Sequence, residues 1–127
     1  MFNIIVVDDH LLFREGIKLL IEKEGFGKVI AEAQNGLELL EVLQHEHPDL
    51  IIMDIDMPYM NGLEATRKAI QQFPDLKILL LTMMSEYVNI AEIKQSGAIG
   101  HILKSSGKRE FEKAIRSVIQ QTETSFC

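Results

Sequence analysis

Five side chains of this 127-residue chain are of kinds that could handle a phosphoryl group, and they stand at the ends of short apolar runs. Asp8 and Asp9 follow Ile4-Ile5-Val6-Val7, and Asp54 follows Leu50-Ile51-Ile52-Met53. Thr82 follows Ile78-Leu79-Leu80-Leu81, and Lys104 follows Ile102-Leu103. Brought together about 4–6 Å apart, each pair of the three carboxylates would repel by roughly 3 kcal/mol at an effective dielectric near ~20. Fold stability alone does not ask for that. A hard divalent cation relieves it, and Mg²⁺ favours one or two carboxylates together with waters and substrate phosphate oxygens. An ammonium group pairs with a carboxylate or a phosphoryl oxygen, and a threonine hydroxyl can donate one hydrogen bond to the latter. Singly, Asp8-Asp9 is an acidic loop start, Thr82 a turn residue and Lys104 a solvated lysine. Jointly they suit phosphoryl transfer to a carboxylate, which needs an aspartate nucleophile, a metal to spread charge and fixed donors. Asp54 is the best nucleophile, standing between the other acids and the two donors. The expected complement is Mg²⁺, with Mn²⁺ as an alternative, on Asp9, Asp54 and the backbone carbonyl of Asp56. Asp8 would act mostly through water, and Thr82 and Lys104 would hold the phosphoryl oxygens.

The elements that must position these residues alternate along the chain. Short β-branched or leucine-rich runs lie at Asn3–Val7, Val29–Ala33, Leu50–Met53, Lys77–Leu81 and Ile99–Leu103. Several are continuously apolar, which suits parallel strands covered on both faces. Between them run segments of helical period, such as Phe13, Ile17, Leu20 and Ile21, or Leu63, Thr66, Ile70 and Phe73. Phe111, Ala114, Ile115, Val118 and Ile119 make a third apolar stripe. Gly25 and Gly97 stand where helices want a left-handed C-terminal residue, and Pro48 and Pro74 precede two strands. The pattern predicts an α/β fold: a flavodoxin-like, doubly wound five-stranded parallel sheet of order 2-1-3-4-5 with five helices. Its site lies at the carboxyl ends of the first and third strands, where the acids are. Residues 1–121 make the domain, and 122–127 are a tail or the start of a linker.

Bulk properties exclude several classes. One domain of this length buries about two-thirds of its unfolded surface and needs no disulfide. The sole cysteine is Cys127, which fits a reducing, cytoplasmic setting. No apolar run approaches the ~18 residues of a membrane span. A net charge of −6 argues against direct nucleic-acid binding, which needs cations to replace phosphate counterions.

Val6-Val7-Asp8-Asp9-His10, Asp54-Ile55-Asp56-Met57-Pro58 followed by Asn61-Gly62, Leu81-Thr82, and Gly100-His101-Ile102-Leu103-Lys104 together resemble the response regulator receiver family of bacterial two-component systems. Nearly the whole chain is covered. Asp8 through Gly16, and Ser105-Ser106 in place of a proline after Lys104, look more like the NarL/LuxR-type subgroup. The resemblance implies a sensor histidine kinase as phosphodonor to Asp54 and a phosphoaspartate of finite lifetime. It further implies a conformational signal to a C-terminal helix-turn-helix output domain absent from these residues, and a possible homodimer on phosphorylation. On this reading the chain is a signalling switch and not an enzyme beyond its own phosphorylation and dephosphorylation.

Receivers usually have Tyr or Phe three positions before the lysine, as a rotating partner to the threonine; here it is His101. Imidazole can rotate, hydrogen-bond and change charge near neutral pH. His101 is therefore expected either to take the switch role with Thr82, making output mildly pH-dependent, or to be a tolerated surface substitution. Asp56 could tighten metal binding or hinder an attacking water. His45 and His47, near the end of the second helix, share no helical face and make no metal site. His10 reads as a loop residue or an indirect contact, and Met83-Met84 as lining a mobile loop. Lys108, Arg109, Lys113 and Arg116 give the last helix a basic face, solvated or for partner contact. The rival is a small phosphohydrolase of haloacid-dehalogenase type, which also forms an aspartyl phosphate. In that family the nucleophile lies near the N-terminus and further acids come late, whereas Asp8-Asp9 precede Asp54.

Overall fold

The computed structural model describes residues 2–83 and 90–124, with side chains as far as residue 121. Met84 and Cys127 lie outside the described residues. Strands and helices alternate in the order β1 (Asn3–Val7), α1 (Leu11–Lys23), β2 (Lys28–Ala33), α2 (Gly36–Val42) and β3 (Leu50–Asp54), then α3 (Gly62–Gln72), β4 (Ile78–Thr82), α4 (Ile90–Ser96), β5 (Gly100–Leu103) and α5 (Lys108–Thr124). A single 3-10 turn, Lys104–Ser106, joins β5 to α5.

All strands pair in parallel, in the order β2-β1-β3-β4-β5. The order is the expected one, and it explains the unbroken apolar runs. Side chains alternate across a strand, so each run feeds two cores. Ile4, Val6, Leu50, Ile52, Leu79 and Leu81 pack with Ile17 and Ile21 of α1 and with Phe111, Ile115 and Val118 of α5. Ile5, Val7, Ile51, Met53, Ile78 and Leu80 pack against Leu39 of α2, Ala65 and Ala69 of α3 and Ile93 of α4.

Helix boundaries follow local chemistry. Asn35 and Asn61 cap α2 and α3, each accepting at 2.9 Å from the backbone N–H of Glu38 and Glu64. Gly25 and Gly97 follow α1 and α4 with φ of +68° and +96°, as the C-terminal glycine pattern requires.

Some boundaries differ from the sequence reading. β3 and β4 run one residue further, taking in Asp54 and Thr82, because the ladder to the neighbouring strand continues through both. α2 ends at Val42, so His45 and His47 lie beyond it rather than near its end. The buried face of α3 is Gly62, Ala65, Thr66 and Ala69, while Leu63, Ile70 and Phe73 flank it half-buried. Small residues allow this helix to lie close to the sheet. The position where a tail was expected to begin falls inside α5, which continues to Thr124. Among the described residues, no helix is long and apolar enough to cross a membrane.

Candidate functional site

Asp8 and Asp54 are the next residues after the paired Val7 and Met53, so the neighbouring strands β1 and β3 deliver them side by side. Val7 and Met53 face α2–α4, and alternation therefore turns both carboxylates towards α1 and α5. Lys104 is in the same phase, two residues after Ile102 on the α1/α5 side. Its Nζ lies 2.8 Å from Asp8 Oδ2 and 3.1 Å from Asp54 Oδ2, and 4.4 Å over the ring of Phe13 from α1. Gly62 is required just behind, since a Cβ there would overlap the carbonyl oxygen of Asp54. In the intervening loop Tyr59 is a non-glycine residue at φ +69°, a conformation that costs roughly 1–2 kcal/mol.

Asp8 is 0% and Asp54 1% exposed, so both charges sit in a poorly solvating crevice. Burial pushes the Asp54 carboxyl up to about 6, and the charge of Asp8 adds to the rise. Lys104 and the backbone N–H of Asp56, which donates to Asp54 Oδ1 at 3.3 Å, work the other way. Burial opposes the charge on Lys104 too, but its hydrogen bond and ion pairs with Asp8 and Asp54 outweigh that and hold it above the ordinary lysine range. Asp8 Oδ1 accepts from the backbone N–H of His10 at 2.8 Å. Asp8 Oδ2 is buried against the Lys104 ammonium at 2.8 Å and finds no other donor among the described residues.

That oxygen, with one ammonium and no other donor, bears on whether a metal cation fits. One ligand atom each from Asp8, Asp9, His10 and Asp54 lies within 4.8 Å of the others, and the Asp9 side chain is 29% exposed. One lysine cannot neutralise three carboxylates, and hard oxygen donors are what Mg²⁺ or Mn²⁺ takes. The residues fit the ion. His10 stands beside the acids, its Nδ1 3.2 Å from an oxygen of both Asp8 and Asp9.

Thr82 and His101 are placed differently. By register His101 stands beside Leu80, and Thr82 is two residues further along β4, so both belong to the face turned towards α4. Thr82 is buried, and among the described residues no hydrogen bond joins it to the carboxylates.

The sequence reading passed over Arg14. It is buried on the inner face of α1, in step with Ile17 and Ile21. Nη1 donates to the backbone carbonyl of Asp8, and Nε donates to Glu32 Oε1 of β2 at 2.8 Å. Lys18 completes the set, its Nζ 2.8 Å from Glu32 Oε2. Burial works against the Glu32 charge, but Lys18 and Arg14 together hold its carboxyl below the usual range. The available signal was an arginine in phase with an apolar stripe, which must find a partner when buried.

Comparison with known proteins agrees with this geometry. The profile of the response regulator receiver domain matches residues 4–116. The transcriptional regulatory protein DegU of Brevibacillus brevis is 38% identical over 118 residues, 93% of this chain and 50% of DegU. The response regulator GacA of Pseudomonas aeruginosa is 39% identical over 119 residues, 93% of this chain and 55% of GacA. The chain thus spans about half the length of these relatives. A LuxR-family two-component response regulator from Aurantimonas sp. SI85-9A1 superposes with a TM-score of 0.86 at 34% identity, covering 94% of this chain and 85% of that one. The receiver domain of the NarL response regulator from Mycobacterium tuberculosis gives 0.82 at 32% identity, covering 91% and 94%. Nothing in these matches favours a haloacid-dehalogenase-type phosphohydrolase. A buried aspartate between a second acid and a lysine, at the carboxyl edge of a 2-1-3-4-5 sheet and with relatives of this kind, leads to one assignment: the chain belongs to the response regulator receiver domain family of two-component systems, in its NarL/LuxR-type branch.

Proposed function

We propose that this domain is the phosphoacceptor switch of a longer response regulator, with Asp54 taking a phosphoryl group from a phosphohistidine of a sensor histidine kinase. The observation that carries the reading is Asp54 itself, buried, raised to about 6 and bracketed by Asp8 and Lys104. An Asp54 oxygen forms the new bond to phosphorus while the bond from phosphorus to the imidazole nitrogen breaks and the histidine leaves. Lys104, already on Asp54 Oδ2, is positioned to follow that oxygen and pair with the phosphoryl group. Asp9, Asp54 and the Asp56 carbonyl would hold Mg²⁺ or Mn²⁺, with Asp8 acting mostly through water. That ion supplies charge neutralisation for the equatorial oxygens.

Phosphorylation adds nearly two negative charges and three strong acceptors. Thr82 turns its hydroxyl to the phosphoryl group, and His101, on the same face one strand over, moves with it as the switch partner. The surface of α4, β5 and α5 then changes shape, a two-state shift driven by a local charge event. The downstream part is a DNA-binding helix-turn-helix, an inference supported by relatives named as transcriptional regulators and about twice this length. Residues 122–127 lead towards it, phosphorylation favours a homodimer, and the protein works in the cytoplasm. This domain does not itself grip DNA, in keeping with its net charge of −6. It is a switch and not a multiple-turnover enzyme.

Incubation with acetyl phosphate and Mg²⁺, followed by intact-mass measurement, tests the core of this. One phosphoryl group should be gained, and it should be absent in Asp54→Asn. A gain that persists in Asp54→Asn, or no gain in the native chain, overturns the reading.

A further inference from the structure

The carbonyl that Arg14 grips belongs to the peptide joining Asp8 to Asp9. A peptide is planar, so fixing that oxygen fixes the plane from which both carboxylates depart. Asp8 has other restraints: its N–H donates to the Ala33 carbonyl at 3.1 Å, and its carboxylate meets the His10 N–H and Lys104. Asp9 is more weakly held, its side chain pairing among the described residues with Nδ1 of the exposed His10 at 3.2 Å. The guanidinium is itself immobilised. Its Nε is tied to Glu32, Glu32 is tied to Lys18, and Arg14 is only 8% exposed. Its position is therefore set by α1 and β2 together, independently of the acids it serves.

We infer that Arg14 is a positioning residue for the cation: it orients the Asp8–Asp9 peptide so that Asp9 presents its carboxylate to the ion beside Asp54. This rests on the proposed function, in which Asp9 and Asp54 hold Mg²⁺. Arginine suits the task because its planar fork donates in two directions at once, to the carbonyl and to Glu32. A lysine ammonium in its place keeps the charge but is a single point, unable to span both partners in the same geometry. The alternative is a purely structural ion pair fastening α1 to β2. The two differ in what a substitution changes. A fastening affects stability and leaves the ion's affinity alone, whereas a positioning residue alters affinity in protein that remains folded.

The test is Mg²⁺ titration by calorimetry, with Mn²⁺ titration by electron paramagnetic resonance as a second probe, on the native chain, Arg14→Lys and Glu32→Gln. Circular dichroism confirms folding at the working temperature. Arg14→Lys should raise the Mg²⁺ dissociation constant about tenfold, the lower end of what supporting partners of metal ligands contribute. Its phosphorylation by acetyl phosphate should recover towards the native rate at saturating Mg²⁺. Glu32→Gln keeps the arginine but removes its anchor, and about a threefold rise is expected. Dissociation constants within twofold of the native value in the folded variants, even with lowered stability, overturn the inference alone. If Arg14→Lys does not fold, Glu32→Gln decides by the same limit. A native chain that binds no Mg²⁺ overturns both this inference and the proposed function beneath it.

Discussion

Asp54 titrates near 3.8 as an ordinary aspartate but at about 6 in the folded chain, chiefly because burial disfavours its charge. Below 3.8 both folded and unfolded chains hold the proton, and the group does not bias folding. Between 3.8 and about 6 only the folded chain keeps it, so stability falls as pH rises through this window. Above it the fold carries the full cost of the ionised group, up to about 3 kcal/mol. Asparagine preserves the shape and removes the charge, although Lys104 then loses one of its two partners. In metal-free buffer at neutral pH, Asp54→Asn should therefore be the more stable protein, by about 1–2 kcal/mol. Urea unfolding across pH checks this, and the advantage should shrink as pH is lowered towards the ordinary aspartate value. A variant less stable than the native chain at neutral pH would mean that the Lys104 pair outweighs burial. Added Mg²⁺ should stabilise the native chain more than the variant, because binding to the folded state alone raises its stability.

Among the elements, β4 and β5 form the part of the sheet that connects the site to the α4 face. Lys104 and the acids lie on the α1/α5 side, whereas Thr82 and His101 lie on the other, two residues apart in register. On the proposed reading, this division would separate taking up the phosphoryl group from reporting it. Thr82→Ala should still be phosphorylated to the native extent by acetyl phosphate. The chemical-shift changes that phosphorylation produces in β4, β5 and α4 should fall to less than about half the native size, reflecting the loss of one charge-assisted donor. Full-sized changes in Thr82→Ala would remove the threonine from the switch. For His101 the comparison is His101→Phe. If these changes depend on pH equally with either ring, His101 has no switch role.

For the molecule as a whole, stability rests on two cores either side of one sheet, with β3 in the middle feeding both. Ile52 is fully buried at the centre of β3. Its replacement by alanine should cost about 3–4 kcal/mol through lost burial and the cavity left behind, a large share of the 5–15 kcal/mol or so that keeps a domain folded. Leu12, 87% exposed, should tolerate alanine to within about 0.5 kcal/mol. Urea denaturation of the two variants measures both. A small loss at Ile52 would mean that the sheet relaxes around the gap.

Strand identity and the acids at the strand ends were legible in the sequence, because apolar period and residue type are local properties, and the sheet order followed from the fold rule for alternating strands and helices. Asp8, Asp9, Asp54 and Lys104 could be gathered on one edge from the alternation of runs alone. What the tertiary structure decided was which groups meet. Lys104 is shared between two carboxylates, Thr82 lies on the opposite face from it, and Arg14 reaches the Asp8 carbonyl from the next helix. Those contacts depend on strand register and on how closely a helix lies against the sheet. Both are set by packing between segments far apart in the chain, and no short stretch of residues encodes them.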